Sequence, residues 1–202
     1  MKKDKFDIKK NKLLKISAII YIFGFIIGII FACIYKEKYS YDLLNYNQHI
    51  FDKLKIIEID KKNFLYYIIV DKLKTYIIFW FICFTFLGIP NIIYQILKMG
   101  FNTGFMLSLI SIQYGFKGFV FMIFSQFPHC IIYLPIILIM LYKGFSISKS
   151  FNIDGKYNSS TRVNIIKSNL TIIFILFLFI IIGCYLEAYV GYYITKSLVL
   201  WF

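Results

Sequence analysis

Few residues in this chain could do chemistry, and two of them stand inside apolar runs. His129 follows Pro128 in a stretch that also holds Ser125 and Pro135, and Glu187 sits between Gly183 and Gly191 near the other end of the chain. An ionisable side chain in a membrane segment is a functional candidate by default, as part of an ion or proton path. The plainer reading is a hydrogen-bonded pin between two helices. Counting along the apolar runs puts His129 near the middle of its segment and Glu187 toward the outer end of another, unlike depths that suit a relay poorly. Ser125, one turn before His129, is placed to hydrogen-bond it. Pro128 and Pro135 free the carbonyls of Phe124 and Ile131.

Residue sets for catalysis are not apparent. A serine-type membrane protease needs its histidine on a second helix, whereas Ser125 and His129 share one. No pair of intramembrane aspartates, no H-E-x-x-H, no phosphate loop and no dinucleotide fingerprint occurs. Cys33, Cys83, Cys130 and Cys184 all fall in apolar runs without ligand spacing, which reads as packing. The sequence supports no enzyme, cofactor or metal.

The elements that must position these residues follow from composition. Of 202 residues 60% are hydrophobic and 21% aromatic, more than a soluble domain of this size can bury. The net charge of +13 is spread through the gaps between apolar runs. That distribution suits anionic lipid headgroups and not nucleic acid. The expected fold is an all-α polytopic membrane protein forming a single integral membrane domain. Five spans are expected near 16–35, 76–97, 99–115, 119–142 and 169–193, the third short enough to be a partial helix. Residues 99–143 form a hairpin turning near Gly115 and Gly118.

Seven lysines within residues 1–15 argue for a cytoplasmic N-terminus. The first apolar run reads as a retained span. Ile30-Phe31-Ala32-Cys33 resembles a lipoprotein cleavage box only faintly. Gly24, Gly28 and Ala32 recur every four residues, a face on which another helix can approach closely. Residues 36–75 form an outer segment in which Leu43, Ile50, Phe51, Leu54 and Ile57 follow helical spacing, as do Phe64, Leu65, Ile68, Ile69 and Leu73. Two short amphipathic helices are expected there, able to dock a partner or lie on the bilayer. In the second span Gly88 and Pro90 should kink the axis, and Asn91 and Gln95 share a face. Residues 143–168 read as a cytoplasmic loop. The face bearing Gly183, Glu187 and Gly191 should look at another helix, beside the interfacial tyrosines Tyr185, Tyr189, Tyr192 and Tyr193.

The ordered set resembles the stage II sporulation protein M family. It comprises Leu87-Gly88-Ile89-Pro90, the glycines from Gly100 to Gly104, Gly115 to Gly118, Pro128-His129 with Pro135, Gly144, and Leu186-Glu187-Ala188-Tyr189. Broader relatives often carry an acid one turn after the Pro-His pair, where this chain has Tyr133. The resemblance implies a non-enzymatic scaffold in the membrane that engulfs the forespore, positioning peptidoglycan-degrading partners, stage II sporulation proteins D and P. It implies a multi-pass location in the mother-cell septal or engulfing membrane. The alternative is a membrane subunit of a transporter or channel. Small-residue faces leave self-association open.

Overall fold

The computed structural model describes residues 13–36, 60–85, 87–153 and 159–199, and every element among them is a helix. Helix α1 runs Leu13–Lys36 and α2 runs Lys61–Cys83. Helix α3 runs Gly88–Ile153, with Gly115 its sole non-helical residue, so it has a first arm, 88–114, and a second arm, 116–153. Helix α4 runs Ser159–Leu186, passes through a wide π-helical turn at Glu187–Gly191, and continues as α5, Tyr192–Val199. Among the described residues, three helical stretches are long and apolar enough to cross a membrane: Leu13–Lys36, Gly88–Lys149 and Lys167–Val199. Many of their large apolar side chains face outward, Phe124, Phe127, Phe174 and Ile182 among them. That is the expected surface of a protein dissolved in lipid.

Several boundaries differ from the sequence reading. Residues 64–73 are not a separate amphipathic helix, because α2 carries them unbroken to Cys83. Asp60 starts that helix. Its carboxylate accepts from the Lys62 amide at 3.0 Å and the Asn63 side chain at 2.9 Å, satisfying donors that a first turn leaves free. The expected span 76–97 is interrupted. Helix α2 stops at Cys83, the Thr85 hydroxyl accepts from the Leu87 amide at 3.2 Å, and α3 begins at Gly88. Pro90 therefore sits in the first turn of a new helix, where its missing N–H costs nothing, and kinks no axis. The segment read as a short third span is a full helical arm from Gly88 to the bend. The expected loop 143–168 is also largely helical, since α3 runs to Ile153 and α4 starts at Ser159.

The described residues fall into two compact units. In the first, α1 packs against the first arm of α3. A Cβ on Gly24 would lie 2.5 Å from the Leu97 carbonyl oxygen, and one on Gly28 would meet the Phe101 carbonyl. From the other side, Gly100 faces the backbone of Tyr21 and Gly104 that of Phe25. Contacts advance together along both helices, so the two run parallel with backbones touching. The Tyr21 and Thr103 hydroxyls are hydrogen-bonded at 2.8 Å beside the seam, and Phe31 packs on Phe101 and Phe105. Ala32 is fully buried.

The same unit holds the hairpin turn. Gly115 has φ 60° and ψ −138°, a region open to glycine and strained for other residues. The chain reverses there, bringing Gly118 against the Ile110 backbone. Phe121 and Met122 then pack with Leu107, Ile110 and Tyr114 of the other arm, and with Leu198 and Val199.

The second unit is a bundle of α2, the second arm of α3, and α4. Phe64 meets Tyr192 while Tyr76 meets Phe177 and donates to the Ile173 carbonyl, so α2 and α4 are antiparallel. Gly144 lies against Phe79 and Cys83, and Gly88 against Ser148. Tyr76, Phe79, Trp80 and Cys83 form the buried side of α2.

Candidate functional site

The polar groups of the second unit converge on Tyr133. Its hydroxyl donates to Glu187 Oε2 at 2.9 Å, from the second arm of α3 to the π-helical turn. Lys72 of α2 places Nζ 3.9 Å from the same carboxylate oxygen and 5.2 Å from the centre of the Tyr133 ring. Tyr133 Oη also lies 3.4 Å from Cys184 Sγ. A phenol has one proton, and the carboxylate is the stronger acceptor. Three chain segments thus meet on one carboxylate.

Local sequence explains the approach. Gly183 has no side chain, and a Cβ there would come within 2.5 Å of Tyr133 Cε1. The glycine is the slot into which the tyrosine ring fits. Four residues on, Glu187 opens the π-helical turn, a feature that often marks functional positions in helices. Gly191 closes it, and a Cβ there would sit 3.7 Å from His129 Nδ1. The Glu187 side chain is 22% exposed and that of Lys72 is 41% exposed. The Lys72–Glu187 pair is the longer and more exposed of the two contacts, so the Tyr133 hydrogen bond is the stronger link.

The predicted residues are distributed as follows. His129 and Glu187 both contact Tyr133, the His129 ring edge-on at 5.7 Å. The unlike depths inferred from counting are therefore incorrect. The second arm of α3 and the α4–α5 run both extend beyond the expected spans, and their antiparallel register brings the two residues to one level. Ser125 does not bond His129; its hydroxyl donates to the Met122 carbonyl at 3.2 Å. His129 Nδ1 is buried and has no hydrogen-bond partner among the described residues. Pro128 and Pro135 lie within the continuous second arm. Gly183 and Gly191 face that arm, whereas Gly24 and Gly28 belong to the first unit and its α1–α3 seam. Leu43, Ile50, Phe51, Leu54 and Ile57 lie outside the described residues.

Sequence reasoning missed Lys72 and the bonding role of Tyr133. One signal was present: an acid absent from the turn after Pro128-His129 and an acid present at Glu187. The carboxylate reaches that turn from another helix, with Tyr133 as its donor. No group of three or more metal-capable side chains gathers among the described residues.

Comparison with known families places this architecture. A family model described as stage II sporulation protein M matches residues 17–191. The chain belongs to that family. The matched range runs from the start of α1 through the π-helical turn, so it takes in the glycine seam, the hairpin and the whole polar cluster. Family membership carries a sporulation-related membrane protein. No curated protein and no solved structure matches the chain.

Proposed function

We propose that this protein is a non-enzymatic scaffold of the sporulation engulfment complex, positioning peptidoglycan-degrading partners at the mother-cell septal or engulfing membrane. The partners are stage II sporulation proteins D and P. Five helical segments cross the bilayer in this reading: α1, α2, the two arms of α3, and the α4–α5 run. The N-terminus is cytoplasmic, and the segment before α2, with Leu43, Ile50, Phe51, Leu54 and Ile57, presents the docking stripe outside.

The observation that carries this reading is the state of Glu187. Its carboxylate is held by Tyr133 and Lys72 across three chain segments, the arrangement of an assembly pin and not of a group awaiting a substrate. Family membership supplies the sporulation context. A second reading, a transporter or channel subunit, draws on one feature: the buried His129 Nδ1 beside the π-helical turn, which has no hydrogen-bond partner among the described residues.

Engulfment separates the two. On the scaffold reading, Phe51→Asp and Leu54→Asp block membrane migration around the forespore, while His129→Ala, at normal abundance, does not. The reverse pattern supports transport and discards the scaffold.

A further inference from the structure

The first arm of α3 carries a polar stripe along its length. Asn91, Gln95, Lys98 and Asn102 are spaced four, three and four residues apart in an otherwise largely apolar run. At 3.6 residues per turn all four fall within about 60° of the helix circumference. The side of the arm that meets α1 is a different one, made by Leu97, Gly100, Phe101 and Gly104. Lys98 and Asn102 are exposed, and Gln95 is half-buried.

The glycine seam sets the depth of Lys98. Gly24 lies on the Leu97 carbonyl, and Gly100 lies on the Tyr21 carbonyl and the Phe25 amide. Lys98 is therefore level with residues 21–25 of α1. Residues 16–35 of that helix carry no charge, with Lys15 and Lys36 at either end. The level of Lys98 is about 12 Å along the axis from Lys15, farther than the four-carbon stem of a lysine reaches. The stripe thus runs through the apolar layer. Ionisable groups at such depth pair with a counter-charge, and amides there bond across helices. Among the described residues, Lys98 makes no ion pair, and the side chains of Gln95, Lys98 and Asn102 make no hydrogen bond.

We propose that this stripe docks a membrane-spanning helix of another protein, and that the helix carries an aspartate or glutamate facing Lys98. Charge complementarity identifies the occupant. A second copy in a parallel two-fold seam would set Lys98 against Lys98. A lipid headgroup would answer the ammonium at one point and leave Gln95 and Asn102, about a turn away on either side, in hydrocarbon. A helix runs along all three. Its carboxylate meets Lys98 at the centre, and its polar groups meet amides that both donate and accept at the ends. The site rests on α1 and the first arm of α3 crossing the bilayer, and it stands whether or not the partner acts on the wall.

Met106, exposed one turn beyond Asn102, is the place for a photoprobe. The full-length chain carrying Met106→p-benzoylphenylalanine is irradiated in sporulating cells, and the joined peptides are mapped by mass spectrometry. Attachment should fall in an apolar span of a second protein that contains Asp or Glu. Lys98→Leu should lower the yield about tenfold or more, because it strands a carboxylate in the membrane, and Lys98→Arg should keep it. Lys98→Asp combined with exchange of the mapped acid for lysine should restore it. Attachment to lipid alone, to a second copy alone or to a span without an acid overturns the site. So do an absence of product at normal membrane level, a yield indifferent to Lys98→Leu, and a reciprocal exchange that fails to recover. Depth has its own readout: Lys98→Cys should add no labelling by an impermeant maleimide in opened cells beyond that of the native cysteines. Ready labelling would put position 98 at the water boundary and overturn the site on that ground.

Discussion

Tyr133 and Glu187 are joined by a 2.9 Å hydrogen bond between the second arm of α3 and the π-helical turn that follows α4. The bond is charge-assisted and partly sheltered, whereas the Lys72 contact to the same carboxylate is longer and more exposed. Hydrogen bonds to charged groups contribute about 2 kcal/mol, and exposed ion pairs less than about 1 kcal/mol. Tyr133→Phe should therefore lower Tm by roughly 4–8 °C for a chain of this size. Lys72→Met should lower it far less. Thermal unfolding of the detergent-solubilised protein checks the order, and a larger loss from Lys72→Met would show that the ion pair holds the bundle instead.

The α1–α3 seam leaves no room for a side chain. Gly24 and Gly28 meet the first-arm backbone, and Gly100 and Gly104 meet that of α1. Backbone cannot yield as a flexible side chain can, so Gly24→Leu or Gly104→Leu should separate the helices. Overpacking of this kind costs about 1–3 kcal/mol or more. Immunoblots of washed membranes should show a several-fold fall in level for either variant. Unchanged abundance would mean that the seam is not a structural contact in the cell.

Ser148 predicts the opposite sign. It is fully buried beside Gly88, and its hydroxyl has no hydrogen-bond partner among the described residues. An unsatisfied buried hydroxyl costs about 1–3 kcal/mol, so Ser148→Ala should raise Tm. A lowered Tm would indicate a bond from Ser148 to a group outside this chain, lipid or partner.

Legibility from sequence tracked the range of the interaction. The four-residue spacing of Gly24 and Gly28 is local and was readable, as was the reversal near Gly115, because glycine at a break in an apolar run has one common use. The boundary between α2 and α3 was not. Residues 76–97 are uncharged and mostly apolar, so hydropathy runs straight across the stop at Cys83. The decisive features are small: a Thr85 hydroxyl bonded to the Leu87 amide, and a proline that suits a first turn as readily as a kink. The Glu187 face was correctly expected to look at another helix, yet which residue it would meet was beyond local pattern. Tyr133 and Lys72 reach it only through the register of three packed helices.

The scaffold role is tested most directly by capture from sporulating cells. The N-terminally tagged chain is crosslinked, solubilised and purified, and what accompanies it is identified. The account predicts wall hydrolases with extracytoplasmic domains, and their loss with Phe51→Asp or Leu54→Asp at unchanged membrane level. A cytoplasmic ATPase as the principal companion, with no wall hydrolase recovered, would contradict it and return attention to His129 and Glu187.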